Sequence, residues 1–149
     1  MVNYSAKSMS AFLYVVAQNT VYGPEGILRA REVLIDDSVD WLSLVKAELL
    51  TGDQLSTSSG SSLHLELGVA DEGRALQVAR LMRNSFQLHQ TPASKARLSI
   101  GVVLYSANTR EKSKFMKIAE SLAFESLALN NGEAGGNRIA FEDCTGSQL

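Results

Sequence analysis

Residues 53–86 read DQLSTSSGSSLHLELGVADEGRALQVARLMRNSF. Gln54–Thr57 and Leu63–Val69 bracket a Ser/Gly tip, the pattern of a β-hairpin. The second arm alternates: Leu63, Leu65, Leu67 and Val69 on one face, His64 and Glu66 on the other. A strand with one buried face has this period of two. The period then changes. Asp71 can cap a helix to about Phe86, with Ala75, Val78, Ala79, Met82 and Phe86 on its inner face. The stretch predicts hairpin then helix, part of a mixed α/β domain.

Working outward, Ala11–Ala17 (AFLYVVA) is an unbroken apolar run, which predicts a central strand buried on both faces. Gly23–Gly26 predicts a turn, and Ile27–Leu34 a short helix. Asp36, Asp37 and Ser38 offer caps for a second helix, Val39–Leu50, with Val39, Leu42, Val45 and Leu49 on one face and Trp41 beside them. Gln87–Ala96 is a polar loop. Leu98–Tyr105 predicts a strand, and Thr109 caps a helix through Leu129 with Phe115, Ile118, Ala119 and Leu122 buried. Arg138–Phe141 predicts a final strand, followed by a frayed polar tail from Glu142 to Leu149. The expected order is β-α-α-β-β-α-β-α-β, which contains a ferredoxin-like βαββαβ core.

The composition excludes several classes. The 149 residues suit one domain, and a net charge of -2 gives no footprint for nucleic acid. No apolar run approaches the roughly 18–20 residues that span a bilayer, so no membrane insertion is expected. A single cysteine, Cys144, forms no intrachain disulfide and fits a reducing, cytoplasmic setting. The two histidines, His64 and His89, have no metal-site spacing and no catalytic motif around them. No metal and no cofactor are expected.

The chain resembles the GGDEF domain, the family that makes cyclic di-GMP in bacteria. Three segments carry the resemblance. Asp53–Phe86 aligns without a gap, with Ser59-Gly60-Ser61-Ser62-Leu63 where the family has GGDEF. Leu98–Val103 (LSIGVV) is similar to the family's SIGVA strand. Ile118–Ile139 resembles its AD-x-AL-Y helix and G-x-NR-V strand, with Ala119-Glu120, Phe124 and Gly136-Asn137-Arg138-Ile139 in those places. The resemblance implies a three-layer sandwich, a central sheet of about five strands with helices on both faces. Residues 1–149 read as one such domain, with excision from a longer multidomain protein left open.

The family's acids are missing from this pattern. The resemblance puts metal-binding aspartates at the end of the first strand, near Ala17-Gln18-Asn19, and another acid in the hairpin, at Ser61 or Ser62. Phosphodiester synthesis needs divalent cations, and hard cations need carboxylate oxygens. A serine hydroxyl is a poor substitute. The expectation is a degenerate domain without diguanylate cyclase activity and without catalytic residues. The family's product-inhibition site, R-x-x-D, aligns with Leu50-Thr51-Gly52-Asp53. Leu50 cannot make an arginine's bidentate contacts, so cyclic di-GMP is not expected there. A phosphate-facing lysine of the family aligns near Leu127, and its guanine-orienting Asp falls within 36–40.

The implied function is a regulatory or protein-interaction domain in cyclic di-GMP signalling, acting on a protein partner or an adjacent EAL-type domain. In the family such outputs include motility and biofilm. An alternative is a GTP-binding sensor using the backbone around Gly60 and Ser61. A weak cyclase with rearranged acids (Asp36, Asp37, Glu66 or Asp71) and a chance ferredoxin-like likeness complete the set.

Overall fold

The computed structural model describes residues 8–22, 28–32, 42–57, 62–88, 96–129 and 138–145. Six strands form one sheet in the order β3 (Gln54–Thr57), β4 (Ser62–Leu67), β1 (Met9–Tyr22), β5 (Ala96–Ser106), β6 (Arg138–Asp143), with β2 (Leu28–Glu32) also on β1. All pairs are antiparallel except β5–β6. Helices α1 (Ser43–Ala47) and α2 (Glu72–Leu88) cover one face, and α3 (Lys112–Leu129) covers the other. The architecture is therefore the expected three-layer α/β sandwich.

The apolar run in β1 follows from this layering. Ala11, Leu13, Val15 and Ala17 enter the core under α1 and α2, while Phe12, Tyr14 and Val16 enter a smaller core under α3. β5 alternates likewise: Leu98, Ile100, Val102 and Leu104 face α2, and Val103 and Tyr105 face α3. The alternation in β4 and the inner stripe of α2 appear as the pattern predicts: Leu63, Leu65, Leu67, Ala75, Val78, Ala79, Met82 and Phe86 are all buried. Asp71 begins α2, its Oδ1 accepting the Arg74 N–H at 2.8 Å.

Several expectations are corrected. Leu28–Glu32 is a strand, not part of a helix over Ile27–Leu34, so the order among the described residues is β-β-α-β-β-α-β-α-β. β1 extends to Tyr22, well past the predicted Ala17, and its overhang supplies a ladder from Gln18↔Glu32 to Tyr22↔Leu28. Satisfied backbone groups outweigh the helix propensity of Leu, Arg and Ala. Helix α1 is shorter than Val39–Leu50: the Glu48 N–H bonds Val45 O and the helix stops there. Val39 and Trp41 lie outside the described residues. Val69 is 70% exposed, beyond the end of β4.

At the C-terminal helix, Thr109 accepts the Glu111 N–H in a local turn, and α3 begins at Lys112. The final strand runs to Asp143. The next residue, Cys144, is buried under α3 and donates its N–H to Leu104 O at 2.8 Å, so the tail is ordered through this point rather than frayed from Glu142. Burial and the neighbouring Glu142 push the Cys144 thiol up to about 11, which keeps it protonated and unreactive. Among the described residues no helix is long and apolar enough to cross a membrane.

Candidate functional site

The hairpin of β3 and β4 holds the aligned motif. Its tip, including Ser59, Gly60 and Ser61, lies outside the described residues. The two motif positions that are described have structural surroundings. Leu63 is fully buried in the larger core, paired with Val15 and Thr57. Ser62 is buried opposite Val16 of β1.

That pairing locates the corner to which the resemblance assigns the metal. One residue past Val16, the edge of β1 passes from β4 to β2. Gln18 pairs with Glu32, and Asn19 with Arg31. On its other edge β1 stays paired with β5, through Gln18↔Arg97 and Asn19↔Ala96. The backbone of Ala17-Gln18-Asn19 is thus held in a ladder where a metal site needs projecting carboxylates, and none of these three residues is an acid. Among the described residues no three His, Cys, Asp or Glu side chains converge as metal ligands.

The aligned inhibitory site has a different occupant. Leu50 is 62% exposed. Asp53 points inward, its side chain 1% exposed. Its Oδ2 accepts the Leu50 N–H at 2.7 Å and the Arg74 guanidinium at 2.6 Å, and its Oδ1 accepts the Gly68 N–H at 2.9 Å. Arg74 also donates to Val69 O at 2.8 Å. The carboxylate therefore ties the turn after α1 to the end of β4 and the first turn of α2. Burial alone would raise its pKa. The Arg74 hydrogen bond, the two N–H donors and the guanidinium charge outweigh that and hold it below the ordinary 3.8. This is a buried staple, not an open ligand site.

The third region was invisible in the sequence. His64, read as a lone sheet histidine, lies on the α3 face of the sheet beside β1. Its ring centroid is 4.7 Å from Tyr14 and 5.6 Å from Phe12. Its Nε2 is buried and, among the described residues, has no hydrogen-bond partner. Ser113, Met116, Lys117 and Glu120 of α3 complete a groove of about 310 Å³ with these three residues. Their spacing puts all four on one helical face. The Tyr14 hydroxyl donates to Glu120 Oε2 across the groove at 3.4 Å. Arg138 is exposed at the start of β6, as expected of a strand-end residue.

Burial depresses the His64 pKa below its ordinary 6.5, and the Glu120 charge only partly opposes this. The folded state thus binds the proton less readily than the unfolded chain. Stability from keeping this imidazole neutral is full above pH 6.5 and declines as pH falls below it. Urea midpoints measured from pH 7.5 to pH 5 should fall for the wild type, and that slope should flatten in His64→Phe. An unchanged slope would mean the imidazole is solvated.

No family model matches this chain, and no curated protein matches it in sequence. Its fold, however, is that of solved GGDEF domains. It is similar to an N-terminally shortened form of PA1120 (TpbB or YfiN) from Pseudomonas aeruginosa comprising only the GGDEF domain. The TM-score is 0.55 at 16% identity, over 90% of this chain and 78% of that one. It is also similar to the diguanylate cyclase SiaD from Pseudomonas aeruginosa, solved in complex with its activator SiaC. There the TM-score is 0.57 at 14% identity, over 91% of this chain and 51% of that one. A third neighbour, an EAL/GGDEF domain protein from M. capsulatus, gives a TM-score of 0.54 at 14% identity, over 90% of this chain and 84% of that one.

Proposed function

We propose that this chain is a catalytically inactive GGDEF-like domain that serves cyclic di-GMP signalling by regulating or binding another protein. The observation that carries the reading is the corner between β1 and the hairpin. Gln18 and Asn19 stand where the resemblance calls for aspartates, their backbone engaged on both edges, by β2 and by β5. Ser62, at the matching end of β4, carries a hydroxyl in place of a carboxylate. Two neutral amides and a hydroxyl offer Mg²⁺ no anionic oxygen, and they leave the charge of a triphosphate without compensation. Asp53, the acid retained from the aligned inhibitory motif, is engaged with Arg74 and two backbone donors, which argues against cyclic di-GMP there.

The partner is a protein or an EAL-type domain. Support comes from the company this fold keeps: SiaD is solved with its activator SiaC, and the M. capsulatus protein combines EAL and GGDEF.

Calorimetric titration with GTP, with and without Mg²⁺, and then with cyclic di-GMP tests the proposal. The expected result is no heat with either nucleotide, and no cyclic di-GMP after long incubation of concentrated protein with GTP and Mg²⁺ or Mn²⁺. Any Mg²⁺-dependent product would overturn it. Saturable GTP binding without product would replace the scaffold with a GTP sensor.

A further inference from the structure

Strand β6 ends the sheet on the side away from the hairpin of β3 and β4. Its inner edge pairs with β5, and among the described residues nothing pairs with its outer edge. An open strand edge is a row of backbone donors and acceptors that can take up another strand. Which of them face outward follows from one bond. Cys144, next after β6, donates its N–H to Leu104 O on β5. The backbone groups of successive residues in a strand point alternately to its two edges. Ala140 and Glu142 therefore turn theirs toward β5, while Ile139, Phe141 and Asp143 turn N–H and C=O outward.

The side chains alternate as well. Ile139 and Phe141 pack on the core under α2 yet stay half-buried. Arg138, Ala140 and Glu142 share the α3 face with the buried Cys144, and Arg138 and Glu142 are exposed there. Set antiparallel against a second β6 about a two-fold axis at Ala140, this strand is self-complementary. Arg138 faces Glu142 of the other copy, at two symmetric places. Ile139 faces Phe141, and each such pair can exchange both of its outward N–H···O bonds. Ala140 meets Ala140 in a non-hydrogen-bonded pair, where Cα atoms approach to about 4.5 Å and a methyl group fits. A slip of the register by one step on each copy sets Arg138 or Glu142 against Ala140 and forfeits both ion pairs. Beside Glu142 a groove of about 390 Å³ exposes parts of Ile118 and Leu122 on α3, apolar surface that a second copy can cover.

We propose that this chain forms a two-fold dimer by antiparallel pairing of β6 with β6, so that one sheet runs through both copies. Charges on an edge strand ordinarily keep other strands away. Here their placement favours one partner in one register, since opposite charges set across a strand pair stabilise it and like charges destabilise it. The β3–β4 hairpins lie at the two far ends of the joined sheet.

Sedimentation velocity of the whole chain over a range of concentrations tests the proposal. The wild type should pass from monomer to dimer. Arg138→Glu sets like charges opposite each other at both symmetric places and should weaken association about tenfold or more. Glu142→Arg should do the same. Each variant repels itself, but a mixture of the two sets acid against base at every charged pair, so a heterodimer should form about as tightly as the wild-type dimer. The double variant Arg138→Glu/Glu142→Arg should also dimerise, which shows that the reversed charges leave the fold intact. A wild type that stays monomeric at high micromolar concentration overturns the proposal. So does a dimer that neither reversal weakens, or a mixture and a double variant that both stay monomeric.

Discussion

Gly101→Ala is expected to destabilise the fold by about 3 kcal/mol or more, at the upper end of overpacking costs. Gly101 sits mid-strand in β5, directly beneath α3. A β-carbon there would run into Ala119 O and lie 2.8 Å from Ala123 N. Both obstacles are helix backbone, so no side-chain rotation relieves them. Either α3 lifts or β5 bends. Lifting α3 would break the Ser99–Ala123 bond and unstack Tyr105 from Phe115. The urea midpoint should fall steeply and the near-UV circular dichroism of the tyrosines should weaken. The same change at Gly73, in the first turn of α2, is the contrast. There the new carbon meets only Asp71 Oδ1 at 3.5 Å, and reduced chain entropy should stabilise by about 0.5–1 kcal/mol. Equal effects at the two sites would show that α3 is not seated closely on β5.

Asp53→Ala should cost about 2–4 kcal/mol, comparable to breaking a buried ion pair. It leaves the N–H groups of Leu50 and Gly68 without their acceptor, and the Arg74 guanidinium without its counterion. The side chain of Arg74 is 21% exposed and can recover some hydration, which keeps the estimate below the extreme. The sign of the pH effect follows from the depressed pKa. The staple contributes fully above the ordinary 3.8 and is lost as pH falls through the lower folded value. Acid unfolding of the wild type should therefore include a component that Asp53→Ala lacks. A cost under about 0.5 kcal/mol, the range of an ordinary surface substitution, would return Asp53 to the role of an idle motif remnant.

The layering was legible because it follows from period. β1 reads as continuous apolar sequence since both its faces are covered, and β4 alternates since its second face carries His64 and Glu66. The strand at Leu28–Glu32 was not legible. Its residues favour helix locally, and its partner is the β1 overhang Gln18–Tyr22, beyond the apolar run that predicts the strand. The candidate site was half legible. That residues 17–19 and 59–63 hold no acid is plain in the sequence, whereas the staple depends on Arg74, 21 residues beyond Asp53. The groove was not legible at all, because β1, β4 and α3 each supply part of it and no one segment carries a pattern.

The position of β1 bears on how this chain reaches its fold. Among the described strands, the one made first is the one to which β2, β4 and β5 all pair. It must wait for β4, where Leu13 meets Leu65, and then for β5, where Leu13 meets Val102, 102 - 13 = 89 positions later. Loop closure over such distances makes folding slow, and the apolar stretch from Ala11 to Ala17 stays uncovered while synthesis proceeds. A nascent chain of this kind is exposed to aggregation until β5 emerges. Its yield in a cell depends on the speed of that closure as well as on the stability of the finished sheet.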